Sequence, residues 1–162
     1  MSTVPSFEVV PISQIAFCGW AVSPGSMRPI ERQSTVVLIV DDERIIADTL
    51  SMILSRSGFT VLTAYDGQSA LELARIVPPE LLLTDVMMAP GMNGVELATA
   101  VAETVPDCKI LLFSGQAATV DLLADARDTG HNFTLLTKPL HPTELLVRIA
   151  AALEVRESIA AL

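Results

Sequence analysis

Cysteine is nearly absent: Cys18 and Cys108 are the only two in 162 residues. Two unpatterned thiols exclude a disulfide framework and a cysteine zinc site, and they suit a reducing compartment. Positive charge is scarce as well. Ten Lys and Arg face nineteen Asp and Glu, a formal net charge of −9, so the basic footprint that nucleic acid requires is missing and no nucleic-acid partner is predicted. The acidity itself is read as a solubility device. There is no long unbroken apolar run. Residues 9–27 carry no charge, but Pro11, Ser13, Gln14, Gly19, Pro24 and Gly25 interrupt them, which makes a poor spanning helix. No Lys or Arg precedes them, so the basic start of a signal peptide is lacking. The expectation is a cytoplasmic chain with no membrane partner. Its residues 1–35 form a mobile or loosely docked extension, in which Met27 offers an alternative start. Neither internal repeat nor low-complexity tract is visible.

What is present is a series of short apolar runs, each ending on a polar or charged residue. Residues 36–40 lead into Asp41-Asp42, residues 81–84 into Asp85, residues 110–113 into Ser114-Gly115, and residues 133–137 into Lys138. A further strand is predicted over 59–64. Between the runs, apolar residues recur at helical spacing. Ile46, Leu50, Ile53 and Leu54 follow a cap at Asp42 or Glu43 and stop at Gly58. Ala70, Leu71, Ala74 and Val77 follow Asp66-Gly67 and stop at Pro78-Pro79. Val95, Leu97, Ala98, Val101 and Ala102 follow a cap at Asn93 and stop at Pro106. A weaker helix is predicted over 117–128, with Val120, Leu123 and Ala124 inward. A last one begins at Pro142 and runs to 157, with Leu145, Leu146, Ile149 and Leu153 inward. Five strands alternating with five helices predict an α/β fold, a parallel sheet with helices on both faces. The domain spans 36–157, and 158–162 is a tail.

In such a sheet the carboxyl ends of the strands form the ligand-binding edge. That edge gathers Asp41, Asp42, Asp85, Ser114 and Lys138. Singly, each has a dull explanation: Asp42 as a helix cap, Ser114 as a strand-end hydroxyl, Lys138 as a solvated end. Together they suggest chemistry. Two carboxylates about 4 Å apart repel by about 4 kcal/mol at an effective dielectric near 20, and an oxygen-only ligand set points to Mg²⁺, with Mn²⁺ as the alternative. A carboxylate, an ammonium and a hydroxyl around such an ion suit phosphoryl transfer. Asp85 would be the nucleophile, and Lys138 and Ser114 would hold the phosphoryl oxygens.

These residues resemble the receiver domains of two-component response regulators. The acidic pair after the first strand is Asp41-Asp42, the phosphoacceptor ending the third is Asp85, the hydroxyl ending the fourth is Ser114, and the Lys-Pro pair ending the fifth is Lys138-Pro139. The resemblance covers about 36–157. It implies a flavodoxin-like, doubly wound five-stranded sheet of order 2-1-3-4-5. It implies Mg²⁺ held by Asp42, Asp85 and the backbone carbonyl of Met87, with Asp41 acting through water, and a cis Lys138–Pro139 bond. It implies phosphorylation of Asp85 by a histidine kinase or a histidine phosphotransfer protein. With no room for an output domain after residue 157, the signal would pass to an unidentified downstream protein through the face made by residues 118–127, the fifth strand and residues 143–150. Three departures from the family pattern stand out: Ala89 is an extra residue in the loop after Asp85, Asn93 replaces an Asp, and Leu135 occupies the place of a switching aromatic. The last two classes of function to weigh are a phosphatase of the haloacid-dehalogenase kind, which the lack of an Asp-x-Asp pattern at Asp41 or Asp85 opposes, and a degenerate receiver that acts as an adaptor without phosphate. His131 and His141 are read as loop and cap residues, and Cys108 as a surface or strand-entry thiol.

Overall fold

The computed structural model describes residues 34–115, 124, 127, 128 and 130–160, with side chains to 154. These belong to the compact unit Gln33–Leu162. Five strands, β1 (Val36–Val40), β2 (Thr60–Ala64), β3 (Leu81–Asp85), β4 (Lys109–Ser114) and β5 (Thr134–Thr137), form one sheet in the order β2-β1-β3-β4-β5. Every neighbouring pair is parallel. The helices α1 (Arg44–Arg56), α2 (Gly67–Ile76), α3 (Gly94–Thr104) and α4 (Pro142–Ala160) join or follow them. This is the parallel sheet that the sequence predicted, in the flavodoxin-like strand order that the family resemblance implied.

The strands are apolar on both sides because both sides are covered. Alternate residues face opposite ways. Val37, Ile39, Leu81, Leu83, Leu111, Phe113 and Leu136 pack with Ala47, Leu54, Leu145 and Ile149 of α1 and α4. Leu38, Val40 and Leu82 pack with Ala70, Leu71, Ala74, Leu97 and Val101 of α2 and α3. Each such fully buried Leu or Ile contributes about 1.5–3 kcal/mol of transfer free energy.

Several boundaries and contacts differ from the sequence reading. Asp85 is the last residue of β3 itself, paired in register with Phe113. Phe59 and Phe133 lie just outside their strands: Phe59 packs half-buried on the α1 side, and Phe133 stacks on His131 at 5.6 Å between centroids. Helix α4 continues to Ala160, because no Gly or Pro stands at residue 157 to stop it. Glu43 is the N-cap of α1, yet neither it nor Asp42 makes a side-chain cap bond there. Ile46 and Ile53 are only half-buried, and Val77, at the C-cap of α2, is 40% exposed. Cys108 is buried rather than superficial. Of the helix predicted over 117–128, residues 124, 127 and 128 are helical and exposed, so Ala124 does not face inward; one methyl gives little reason for burial. The rest of that helix, and nearly all of the extension over 1–35, lie outside the described residues.

Candidate functional site

The period of two along each strand assembles the site. Asp41 continues the face of Val37 and Ile39, Asp85 that of Leu81 and Leu83, and Lys138 that of Leu136, so three charged side chains emerge on one face at one edge. Lys138 Nζ lies 2.8 Å from Asp85 Oδ1 and 3.0 Å from Asp41 Oδ2. The other Asp85 oxygen accepts the Met87 backbone N–H at 3.1 Å. The other Asp41 oxygen accepts the Glu43 N–H at 2.9 Å, which holds the turn into α1 in place of a helix cap. The backbone of Lys138 is fixed too, its N–H donating to the Ser114 carbonyl at 2.8 Å. Asp41 is 2% exposed, Ser114 3% and Asp85 8%.

Electrostatics follow from this burial. Desolvation raises the Asp85 carboxyl above its ordinary range against the opposing pull of the Lys138 ammonium, and Asp41 adds to the rise. Burial works to lower Lys138, but its hydrogen bonds to Asp85 and Asp41 outweigh that and raise it. The ammonium therefore persists at neutral pH. The repulsion expected between crowded carboxylates is offset between Asp41 and Asp85 by the Lys138 ammonium that stands between them, without a metal. Among the described residues no group of three or more His, Cys, Asp or Glu is placed to hold a metal ion.

A cavity of about 230 Å³ opens beside Asp85, lined by Asp42, Glu43, Met87, Ser114, Gly115 and Lys138 as well. Of the predicted residues, Asp42, Asp85, Met87, Ser114 and Lys138 thus share one space, while Asp41 is withdrawn into its ion pair. Glu43 takes a place in the wall that the sequence reading had not assigned. Asp42 is exposed and accepts the N–H of the extra loop residue Ala89 at 3.4 Å. Asp42, Glu43 and Asp85 bring carboxylates to this solvent-reached cavity, an oxygen donor set that suits Mg²⁺, which binds through one or two carboxylates and keeps several waters.

The loop after Asp85 contains a residue that sequence reasoning passed over. A Cβ on Gly94 would fall 1.8 Å from the Asp85 carbonyl oxygen and 2.9 Å from the Val86 Cα. The start of α3 is therefore pressed onto the end of β3, and Gly94 N–H donates to the Val86 carbonyl at 3.0 Å. The turn-rich composition marked a loop there but not its close approach. Asn93 caps α3 through a reciprocal capping box with Glu96. Thr84, fully buried, donates to the Asp85 carbonyl at 3.0 Å. Both Lys138–Pro139 and Ala89–Pro90 are cis.

Next to the cavity, and sharing Lys138 with it, lies an apolar groove of about 390 Å³ between α1 and the start of α4, lined by Ile46, Leu50, Ile53, Phe113, Leu140 and Leu145 among others.

Residues 37–150 match the model of the response regulator receiver domain. The chain is 34% identical over 127 residues to the probable transcriptional regulatory protein TcrX of Mycobacterium tuberculosis, covering 78% of this chain and 53% of that protein. It is 36% identical over 120 residues to the response regulator MprA of Mycobacterium ulcerans, covering 74% and 50%. The chain thus spans about half the length of the curated relatives it matches. Among solved structures it is similar to a CheY-like receiver domain protein from Methanospirillum hungatei, at 27% identity and a TM-score of 0.71, over 77% of this chain and 98% of that one. A signal receiver domain from an HD domain-containing protein of Pseudomonas fluorescens superposes with the same TM-score of 0.71 at 28% identity, over 78% and 99%.

Proposed function

The chain belongs to the response regulator receiver family, and on that premise we propose that it is a phosphoacceptor of a two-component relay that takes a phosphoryl group onto Asp85. One observation carries the reading: the Asp85 carboxylate lies at the wall of a small cavity with the Lys138 ammonium 2.8 Å away. The donor is the phosphohistidine of a histidine kinase or histidine phosphotransfer protein. An Asp85 oxygen attacks phosphorus, the phosphorus–nitrogen bond breaks with its electron pair going to nitrogen, and the donor imidazole, protonated on its other nitrogen, leaves as the neutral ring. Lys138 and the Ser114 hydroxyl hold phosphoryl oxygens in place, which is most of what a protein contributes to this reaction. Asp42, Asp85 and the Met87 carbonyl would hold Mg²⁺, with Asp41 acting through water, and the ion would neutralise charge on those oxygens. The chain has no other turnover than its own phosphorylation and dephosphorylation.

A protein donor must cover the cavity, and the apolar groove that shares Lys138 gives it a surface to rest on. The signal leaves through binding, with α4 offering the exposed Thr143, Val147 and Ala150. Curated relatives include DNA-binding response regulators, whose whole chains are about twice the length matched; the acidity of the sequence here supports a protein partner for this domain. Among the described residues no helix is long and apolar enough to cross a membrane.

A second reading, an adaptor that binds without phosphate, draws support from Leu135, half-buried where the family places an aromatic. One experiment separates the two. With acetyl phosphate and Mg²⁺ the wild-type chain should be labelled and Asp85→Asn should not; an unlabelled wild type favours the adaptor, and a labelled Asp85→Asn refutes the assignment.

A further inference from the structure

We infer that Phe113 is a positioning residue for the phosphoryl transfer, its ring holding the Lys138 ammonium over Asp85; this rests on the phosphoacceptor reading. Three independent constraints converge on the ring. Phe113 pairs in register with Asp85 across β3 and β4, so the two side chains leave the sheet on the same face. The Val86 N–H donates to the Phe113 carbonyl at 3.1 Å, which fixes that register at the strand ends. Lys138 is tethered one residue further along β4 through the Ser114 carbonyl. The ring is thus placed beneath the lysine tip, with Nζ 5.0 Å from its centroid.

At that distance the negative face of the ring attracts a cation. The ring is 6% exposed, so little water competes from below. Beside the lysine stem, a Cβ at Gly115 would sit 3.6 Å from Lys138 Cβ, an ordinary contact that borders the stem without gripping it. The aromatic face therefore adds to the two carboxylates in setting where the ammonium rests. A lysine carries four rotatable bonds, and holding it near its working place removes part of the entropy cost of engaging the phosphoryl group. An aliphatic residue at 113 would fill the core equally and lack this hold.

The test compares Phe113→Met, which keeps volume without a ring, and Phe113→Tyr, which keeps the ring, with Phe113→Leu as a second ringless variant should the Met form fail to fold. In the metal-free, unphosphorylated protein, the Lys138 ε-methylene protons should be shifted upfield by the ring in wild type and in Phe113→Tyr, and return to ordinary positions in the ringless forms. With acetyl phosphate and Mg²⁺, the ringless variants should lose about three- to tenfold in maximal labelling rate, the range of a partly desolvated cation–π contact, at unchanged half-saturating acetyl phosphate, and Phe113→Tyr should stay near wild type. Equal proton shifts in all forms, a ringless variant as fast as wild type, or equal losses in the Tyr and Met variants would each overturn the role. A wild type that does not label at all overturns the phosphoacceptor reading instead, while the proton shifts still report the contact.

Discussion

At the scale of single residues, backbone proximity is as decisive as charge. Gly94 has its Cα against the Asp85 carbonyl, and a methyl group there has no space unless β3 or α3 moves. Gly94→Ala should destabilise the fold by about 1–3 kcal/mol or more, the usual range for overpacking, read as a lower urea midpoint. It should also slow labelling by acetyl phosphate beyond what the stability loss accounts for, since the displaced atom belongs to the phosphoacceptor. Cys108 offers a different probe. Burial pushes its thiol up to about 12, and the thiolate is the reactive form. Alkylation of Cys108 at pH 8 should therefore be negligible in the folded protein and fast in urea, as followed by mass; fast reaction without denaturant would show that the end of α3 opens readily. The charged residues of the site were legible in the sequence because each ends an apolar run. That Asp42 and Asp85 face the cavity while Asp41 is set back was legible only through the family resemblance, and the place of Glu43 in the wall was not legible at all. After Val40 the chain turns, and one residue of rotation decides that Asp41 binds Lys138 while Asp42 and Glu43 reach the cavity wall.

At the scale of elements, the caps carry most of the local specificity. Asp66 starts α2 by accepting the Ser69 N–H, and Asn93 starts α3 by accepting those of Val95 and Glu96. Asn93→Ala should cost about 1 kcal/mol, whereas Asn93→Asp should hold or gain stability through the helix dipole; thermal melts of the two variants check this. Both caps were visible in the sequence because Asp and Asn stood immediately before a periodic apolar stretch. Helix α1 starts after Glu43, one of the two cap positions the sequence offered, but no side chain caps it: its first turn is held by Asp41, two residues before the N-cap and already committed to Lys138. It is also clasped from just beyond β2, where Tyr65 donates to Asp48 at 2.8 Å and lies under the Arg44 guanidinium at 4.2 Å. Such contacts between elements leave no trace in local periodicity. The half-burial of Ile46 and Ile53 has the same origin: α1 and α4 part beside Lys138, and the helical pattern alone does not show a groove between two helices.

At the scale of the whole molecule, the sheet brings together groups that titrate against one another, and its stability should show it. Lys138 is raised above its ordinary 10.5 by its two carboxylates, so the folded state holds its proton more tightly than the unfolded chain. That contribution is full below 10.5 and is lost as pH rises through the raised value. Urea midpoints should fall over this alkaline window in the wild type and fall less in Lys138→Met. Asp85 is raised from 3.8, so its share is present at acid pH and lost as pH rises through its raised value. Ionised Asp85 is thus kept in the fold at some cost in stability, a pattern expected of groups positioned for reaction, and Asp85→Asn should melt no lower than wild type at pH 7.

The account depends above all on where a phosphoryl group lands. Wild-type protein treated with acetyl phosphate and Mg²⁺, then reduced with borohydride to convert an acyl phosphate into a homoserine, should yield that residue at position 85 and at no other carboxylate. Reduction at Asp41, Asp42 or Glu43, or no reduced residue in a chain that folds, would contradict it.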